Sequence, residues 1–198
     1  MLGYAEFLEY LATLPANFQL GLSDKYPDLE SIKEVFLKAA RYTCDFYLAN
    51  SAADGIPYWD TGAPDLHRLG NYQESAADPY NAFEPVDSSA AAIGAQGLIR
   101  LGKYLENSQP EDASRYVKAG LTVLNTLLSD PYLSTGAAHQ GLLLHSVYHR
   151  PNGWDHIPEG QQVPCGESSM WGDYHMTELC YTVHRLTKND HYTFFEGF

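Results

Sequence analysis

Apolar residues recur at helical spacing from the first positions of this chain. Leu2, Ala5, Leu8 and Ala12, with Tyr4, Phe7 and Leu11, predict a helix from Met1 to about Leu14, closed by Pro15. A loop is expected up to Pro27-Asp28. From Leu29 to Asn50, Ile32, Val35, Phe36, Ala39, Ala40, Thr43, Phe46 and Tyr47 read as one face of an amphipathic helix. Ser51 to Val86 is interrupted by Gly55, Pro57, Gly62, Pro64, Gly70, Pro79 and Pro85 and reads as a long ordered loop, of a kind that usually carries function. Asp87-Ser88-Ser89 then caps a helix to about Glu106. Its Ala90, Ala91, Ala92, Gly94, Ala95 and Gly97 are small on every face, which implies close neighbours all round. Ser108-Gln-Pro-Glu111 has the form of a capping box opening a helix through Leu128. A fifth long helix is expected from Ser168 or Ser169 through Thr177, Leu179, Cys180 and Val183 to Leu186.

The reading is all-α, with about five long helices and long ordered loops. The first, third and fifth are small-residue-rich or follow aromatic loops and form an expected inner layer. The second and fourth carry charged outer faces, Lys33, Glu34, Lys38 and Arg41 on one and Glu111, Arg115 and Lys118 on the other. Alternating inner and outer helices is the pattern of an α/α toroid, and five helices are too few to close one. No N-cap precedes the first helix, so the chain reads as beginning inside a helix whose upstream part lies elsewhere.

Composition narrows the classes. The 198 residues carry a formal net charge of -13, so no basic patch is available for phosphate, and nucleic acid is excluded as a partner. No apolar run reaches transmembrane length, so no membrane is expected. The start lacks the basic region and apolar core of a signal peptide, so a cytoplasmic setting is expected. Cys44, Cys165 and Cys180 have neither zinc spacing nor a disulfide framework. No metal or cofactor is expected.

The chemistry concentrates late in the chain. Between Gly141 and His175 lie His145, Tyr148, His149, Trp154, His156, Trp171, Tyr174 and His175, in a run expected to be mostly non-helical. Rings with one polar edge suit a sugar pocket, because their faces stack on pyranose C–H groups while their N–H and O–H edges reach hydroxyls. Trp59 is a further candidate for the pocket edge. Three carboxylates read as structural: Asp87 as a helix cap, Asp173 as a first-turn acid of the last helix, and Asp60 as a loop-fixing acceptor.

Four stretches, Asp54-Gly-Ile-Pro-Tyr-Trp-Asp60, Asp87-Ser-Ser-Ala-Ala-Ala-Ile93, His145-Ser-Val-Tyr-His149 and Trp171-Gly-Asp-Tyr174 with Glu178, resemble in order and separation the C-terminal half of the unsaturated glucuronyl hydrolases, glycoside hydrolase family 88. The related rhamnogalacturonyl hydrolases, family 105, fit less well. The resemblance implies that residues 1–198 are the C-terminal half of one (α/α)6 six-hairpin domain. It implies a substrate, a Δ4,5-unsaturated uronic acid at the non-reducing end of lyase-generated oligosaccharides, and a reaction, hydration of the C4=C5 double bond by an aspartic acid. It also implies that Tyr148 and His149 line the site near the uronate, and that Asn152, Trp154 and His156 approach the leaving-group sugar and any sulfate on it. The family's catalytic aspartates and its Arg-Gly-Gln-Ala-Trp segment match no residue of this chain. The catalytic residues are therefore unassigned, and a half-barrel is expected to be inactive alone and to self-associate. A non-catalytic sugar-binding or structural half-barrel is the alternative.

Overall fold

The computed structural model describes residues 1–136, 138–190 and 192. Among them are six α-helices, α1 (Leu2–Thr13), α2 (Ala16–Lys25), α3 (Leu29–Asn50), α4 (Ser88–Leu105), α5 (Pro110–Leu127) and α6 (Met170–Thr187), and no strand beyond isolated bridges. The all-α reading holds, and α3, α4 and α6 lie within two residues of their expected limits. Two local expectations fail. The stretch after Pro15 is helix, not loop. Its Phe18 and Leu20 are exposed and α2 buries nothing, so the segment carries no core-facing stripe by which a sequence reading could find it. Ser108 does not form a capping box. The helix starts one residue later, with Gln109 at the cap and Pro110 at the first turn, where its missing N–H is no loss; the Ser108 hydroxyl donates back to Leu105.

α4 is the centre of the packing. It contacts α1, α3, α5 and α6, and α3 also lies against α1. One apolar cluster joins Ala5 and Leu8 of α1, Ala40 and Cys44 of α3, Leu98, Leu101 and Leu105 of α4 and Tyr116 of α5. A second joins Ala92, Ala95 and Ile99 of α4 to Val123 and Leu127 of α5, Met176 and Leu179 of α6, and Ile56, Tyr58, Tyr72 and Val86 of the long loop. The α4–α5 approach is close enough to need glycine on both sides. A Cβ on Gly102 would sit 2.8 Å from the Ala113 carbonyl oxygen, and one on Gly120 would sit 2.9 Å from that of Ala95.

α3 differs from its expected form. The eight residues read as one face divide between two. Ala40 is buried, with Phe36 and Tyr47 packed against the core, whereas Ile32, Val35 and Phe46 point to solvent. A face of eight residues over sixteen positions is too wide for one stripe, and the exposed Ile32, Val35 and Phe46, with Tyr42, fall at intervals of three, seven and four on a separate one. Charge ties α3 to α5, through Arg41 to Asp112 at 2.9 Å and Arg115 to Asp45 at 2.6 Å.

Between α1, α4 and α6 the core is polar. Arg100 of α4 is fully buried, pairs with Glu9 and lies 3.8 Å from Glu6, and donates to the Tyr192 carbonyl at 3.2 Å. The Tyr192 hydroxyl donates to Glu178 of α6 at 3.1 Å. Gln96 of α4 donates to the His175 carbonyl at 2.8 Å. Burial raises the Glu6 carboxyl above its ordinary value, against the lowering pull of Arg100.

The segment from Leu133 to Ser169 is fastened to the N-terminal ends of α4 and α6. Isolated bridges pair Leu133 with Leu143 and Leu144 with Ser168. Asp173 accepts from Leu142 (3.0 Å) and Leu143 (2.8 Å), so this first-turn acid holds the segment down as well as meeting the helix start. His145 is buried with a left-handed backbone (φ 66°). Its carbonyl accepts from Ser88, its Nδ1 accepts from Gly166 at 3.1 Å, and its ring meets Tyr80 and Tyr132 edge-on. Desolvation lowers its pKa to about 4, so it is a neutral core histidine.

Two outcomes follow from this packing. Gly120→Ala should destabilise the protein by about 1–3 kcal/mol, since the added methyl meets backbone, whereas Gly21→Ala on exposed α2 should stabilise it by about 0.5–1 kcal/mol; urea unfolding of both variants checks this. For His145, the folded state disfavours protonation, so the unfolded chain binds the extra proton between about pH 6.5 and pH 4 and stability falls as pH drops through that window. Across the whole window the contribution is roughly 3 kcal/mol. The raised carboxyl of Glu6 acts with the opposite sign, gaining stability as pH falls. His145→Asn, which tolerates the left-handed backbone, should flatten the loss between pH 7 and pH 5 in denaturant titrations.

Candidate functional site

The ends of α4 and α6 that carry the fastened segment also carry its aromatic residues. Asp87 caps α4 as expected: its Oδ1 accepts from the Ser89 and Ala90 amides at 3.0 and 3.3 Å and from the Ser89 hydroxyl at 2.6 Å. The same oxygen accepts from the Val147 amide at 3.4 Å, which ties the cap to the chain just before Tyr148. Burial raises the Asp87 carboxyl, while these donors pull it down. The Trp171 indole N–H donates to the Ser89 hydroxyl at 3.2 Å. Gly172 lets α6 approach: a Cβ there would lie 2.8 Å from the Ser146 hydroxyl and 3.2 Å from the Ser89 Cβ.

On this base stands a group of four rings. Tyr148 stacks on Trp171 with centroids 5.3 Å apart and planes at 28°. Trp154 lies 5.9 Å from Tyr148 and 4.9 Å from His149. Tyr148 and Trp154 are each more than half exposed. Tyr148 lies against both tryptophans, and Trp154 is the more exposed of the two. Asp155 builds the turn that brings Trp154 back, taking the Tyr148 amide on one carboxylate oxygen and the His149 amide on the other at 3.0 Å. His149 Nδ1 accepts from the Asn152 amide at 3.2 Å, which leaves Nε2 as the nitrogen able to face a ligand. Gly153 follows with a left-handed backbone (φ 64°) and reverses the chain.

The structure thus brings Tyr148, His149 and Trp154 together. Asn152 contributes its backbone to the turn; Asn152 and His156 are both exposed, and no contact joins the His156 side chain to the ring group among the described residues. Trp59 is elsewhere: its indole N–H donates to Glu84 at 2.7 Å, Glu84 also accepts from the Asp65 amide, and no contact joins Trp59 to the ring group among the described residues. Asp60 accepts from the Gly62 amide at 2.7 Å, the loop-fixing role read from sequence. Two further residues build the site: Trp171, one of the rings in the aromatic run but given no place at the uronate by the resemblance, and Asp155, which the sequence reading does not name. Trp171 was visible in the Trp-Gly-Asp-Tyr run; for Asp155 the signal was weak, an acid beside Trp154 in a Pro-Asn-Gly turn. No described helix is long and apolar enough to cross a membrane.

No protein-family model matches the chain. Two curated relatives do. An unsaturated glucuronyl hydrolase of Formosa agariphila is 29% identical over 145 residues, covering 72% of this chain and 29% of the relative. One of Bacillus sp. strain GL1 is 27% identical over 169 residues, covering 85% of this chain and 37% of the relative. The crystal structure of unsaturated glucuronyl hydrolase from Bacillus sp. GL1, described as responsible for the degradation of glycosaminoglycan, superposes with a TM-score of 0.54 at 29% identity, over 76% of this chain and 33% of that one. The chain therefore spans about a third of the length of the proteins it matches. By sequence and by fold alike, this chain is similar to unsaturated glucuronyl hydrolases.

Proposed function

We propose that this chain forms part of a glycoside hydrolase acting on a Δ4,5-unsaturated uronic acid at the non-reducing end of an oligosaccharide, by hydration of the C4=C5 bond. The observation that carries this is the convergence of Tyr148, His149 and Trp154 on one turn, within a chain whose relatives bear that name. In this reading the Tyr148 hydroxyl donates toward the uronate, His149 Nε2 meets its carboxylate or the glycosidic oxygen, and Trp154, Asn152 and His156 border the neighbouring sugar.

The acid is not assigned to this chain. Both oxygens of Asp155 hold amides, and Asp87 is engaged as a cap and tie. We place residues 1–198 as part of an (α/α)6 domain, with the proton-donating aspartate contributed from the length of the relatives that this chain does not match. Three free thiols, Cys44, Cys165 and Cys180, suit a reducing compartment and support a cytoplasmic setting. A sugar-binding wall without chemistry is the second reading, favoured by the lack of an uncommitted carboxyl beside the rings among the described residues.

Mixing the chain with an unsaturated disaccharide and following the absorbance of the double bond separates these readings. The chain alone should leave the absorbance unchanged. In a version joined to the unmatched length of a relative, turnover should appear, and Tyr148→Phe or His149→Ala should lower it by about 10²–10⁴-fold. Turnover in that version unaffected by the double replacement would remove both residues from the site. Asp173→Ala should act on stability instead, by about 1 kcal/mol for the part-buried Leu143 amide left without its acceptor, read from thermal unfolding.

A further inference from the structure

Capping α4 needs only an acceptor for the amides of its first turn, and several short polar side chains supply one equally well. Asp87 does more. Its Oδ1 accepts from the Ser89 and Ala90 amides, from the Ser89 hydroxyl at 2.6 Å and from the Val147 amide at 3.4 Å. The two amides of α4 are the cap. The other two donors lead out of the helix, one toward each member of the Tyr148–Trp171 stack.

The route to Trp171 runs through a hydroxyl. Because the Ser89 O–H is given to Asp87, its lone pairs are left for a donor, and the Trp171 indole N–H takes that place at 3.2 Å. A hydroxyl whose proton is held by a carboxylate accepts more strongly, since linked hydrogen bonds polarise one another. The route to Tyr148 runs through the backbone. Asp87 takes the Val147 amide, and Asp155 takes the amides of Tyr148 and His149. Two carboxylates thus hold three successive peptide planes, including both that flank the Tyr148 Cα, and these set the direction of its ring.

Capping by itself does not call for aspartate here. Serine caps a helix about as well, yet its oxygen stands one bond nearer the backbone, too short to meet the Ser89 hydroxyl and the Val147 amide together with the cap amides. Packing makes the junction tight. The Ser88 and Ser146 hydroxyls lie 3.2 Å apart, and Gly172 brings α6 against Ser146 and Ser89 where a Cβ would meet both. A shift of either route at this junction is passed to the rings, because little space is left to absorb it.

We propose that Asp87 is a positioning residue of the ring group as well as a helix cap. One oxygen sets both partners of the Tyr148–Trp171 stack, through the Ser89 hydroxyl on one side and the Val147 amide on the other, and thereby the affinity of the rings for sugar. The setting of the stack stands on the contacts alone; the consequence for affinity rests on the carbohydrate reading above.

The indole N–H signals in proton–nitrogen NMR spectra test it. The chain has three tryptophans, so three signals are expected, and Trp171→Phe identifies the one that matters. Asp87→Ser keeps a cap and should melt close to the wild type, while its Trp171 indole N–H shifts and exchanges with water several-fold faster. The Trp59 indole, held by Glu84, should not move. Asp87→Asn, whose amide oxygen can take the same donors, should restore the wild-type signal. Ser89→Ala cuts only the route to Trp171 and should release the same N–H with Asp87 still in place. In titrations with an unsaturated disaccharide, affinity should fall several-fold in Asp87→Ser and Ser89→Ala and recover in Asp87→Asn. An unchanged Trp171 signal in Asp87→Ser or in Ser89→Ala would overturn the proposal, as would undiminished affinity in both. A wild type that does not bind the disaccharide would sink the carbohydrate reading and the affinity clause with it, and the indole signals would still decide whether Asp87 sets the stack.

Discussion

Gly102 of α4 and Gly120 of α5 let two helix backbones approach to distances at which a single methyl would strike a carbonyl oxygen. That approach fixes where α4 lies, and the rest of the molecule is arranged around it. Its small residues admit α1, α3, α5 and α6 at once, so α4 takes part in both apolar clusters. Its first turn then works as an anchor. Ser88 donates to the His145 carbonyl, Asp87 accepts from Val147, and Ser89 accepts from the Trp171 indole. The long connection between α5 and α6 has few helical bonds of its own, and these contacts are what turn it into a surface of defined shape.

The polar rung around Arg100 has a different logic. A buried guanidinium adds little net stability over well-packed apolar residues, because desolvation offsets the attraction, yet breaking one partner leaves an uncompensated charge. Its value lies in register: Glu9 on α1, Arg100 on α4 and, through Tyr192, Glu178 on α6 reach one another only when the three helices sit at one height. The apolar layers alone, rich in alanine and leucine, would tolerate a slide of one turn more readily.

Much of this was legible in the sequence, and the failures have physical causes. The limits of α3 and α4 followed from periodicity and from the Asp87 cap. α2 was missed because local propensity, not burial, makes it helical. Ser108 misled because Pro110 claims the first turn. The two faces of α3 merged because periodicity reports which residues are apolar and not which of them find a neighbour. At the site, ring type and density singled out Tyr148, His149 and Trp154, since aromatic side chains with polar edges are uncommon on turns without a role. Trp59 could not be sorted the same way. Its placement depends on Glu84, 25 residues away, and pairings across a loop of that length leave no local pattern.

The likeness to unsaturated glucuronyl hydrolases covers most of this chain and about a third of theirs, so the account stands on whether this chain touches sugar through the rings it places together. Saturation-transfer difference NMR with an unsaturated disaccharide addresses that directly, because it reads contact without requiring turnover. Irradiating aromatic protons of the wild-type chain should transfer saturation to the ring protons of the disaccharide, and Trp154→Ala should abolish most of that transfer while the fold remains intact. No transfer from the wild type, or transfer unchanged in Trp154→Ala, would contradict the account.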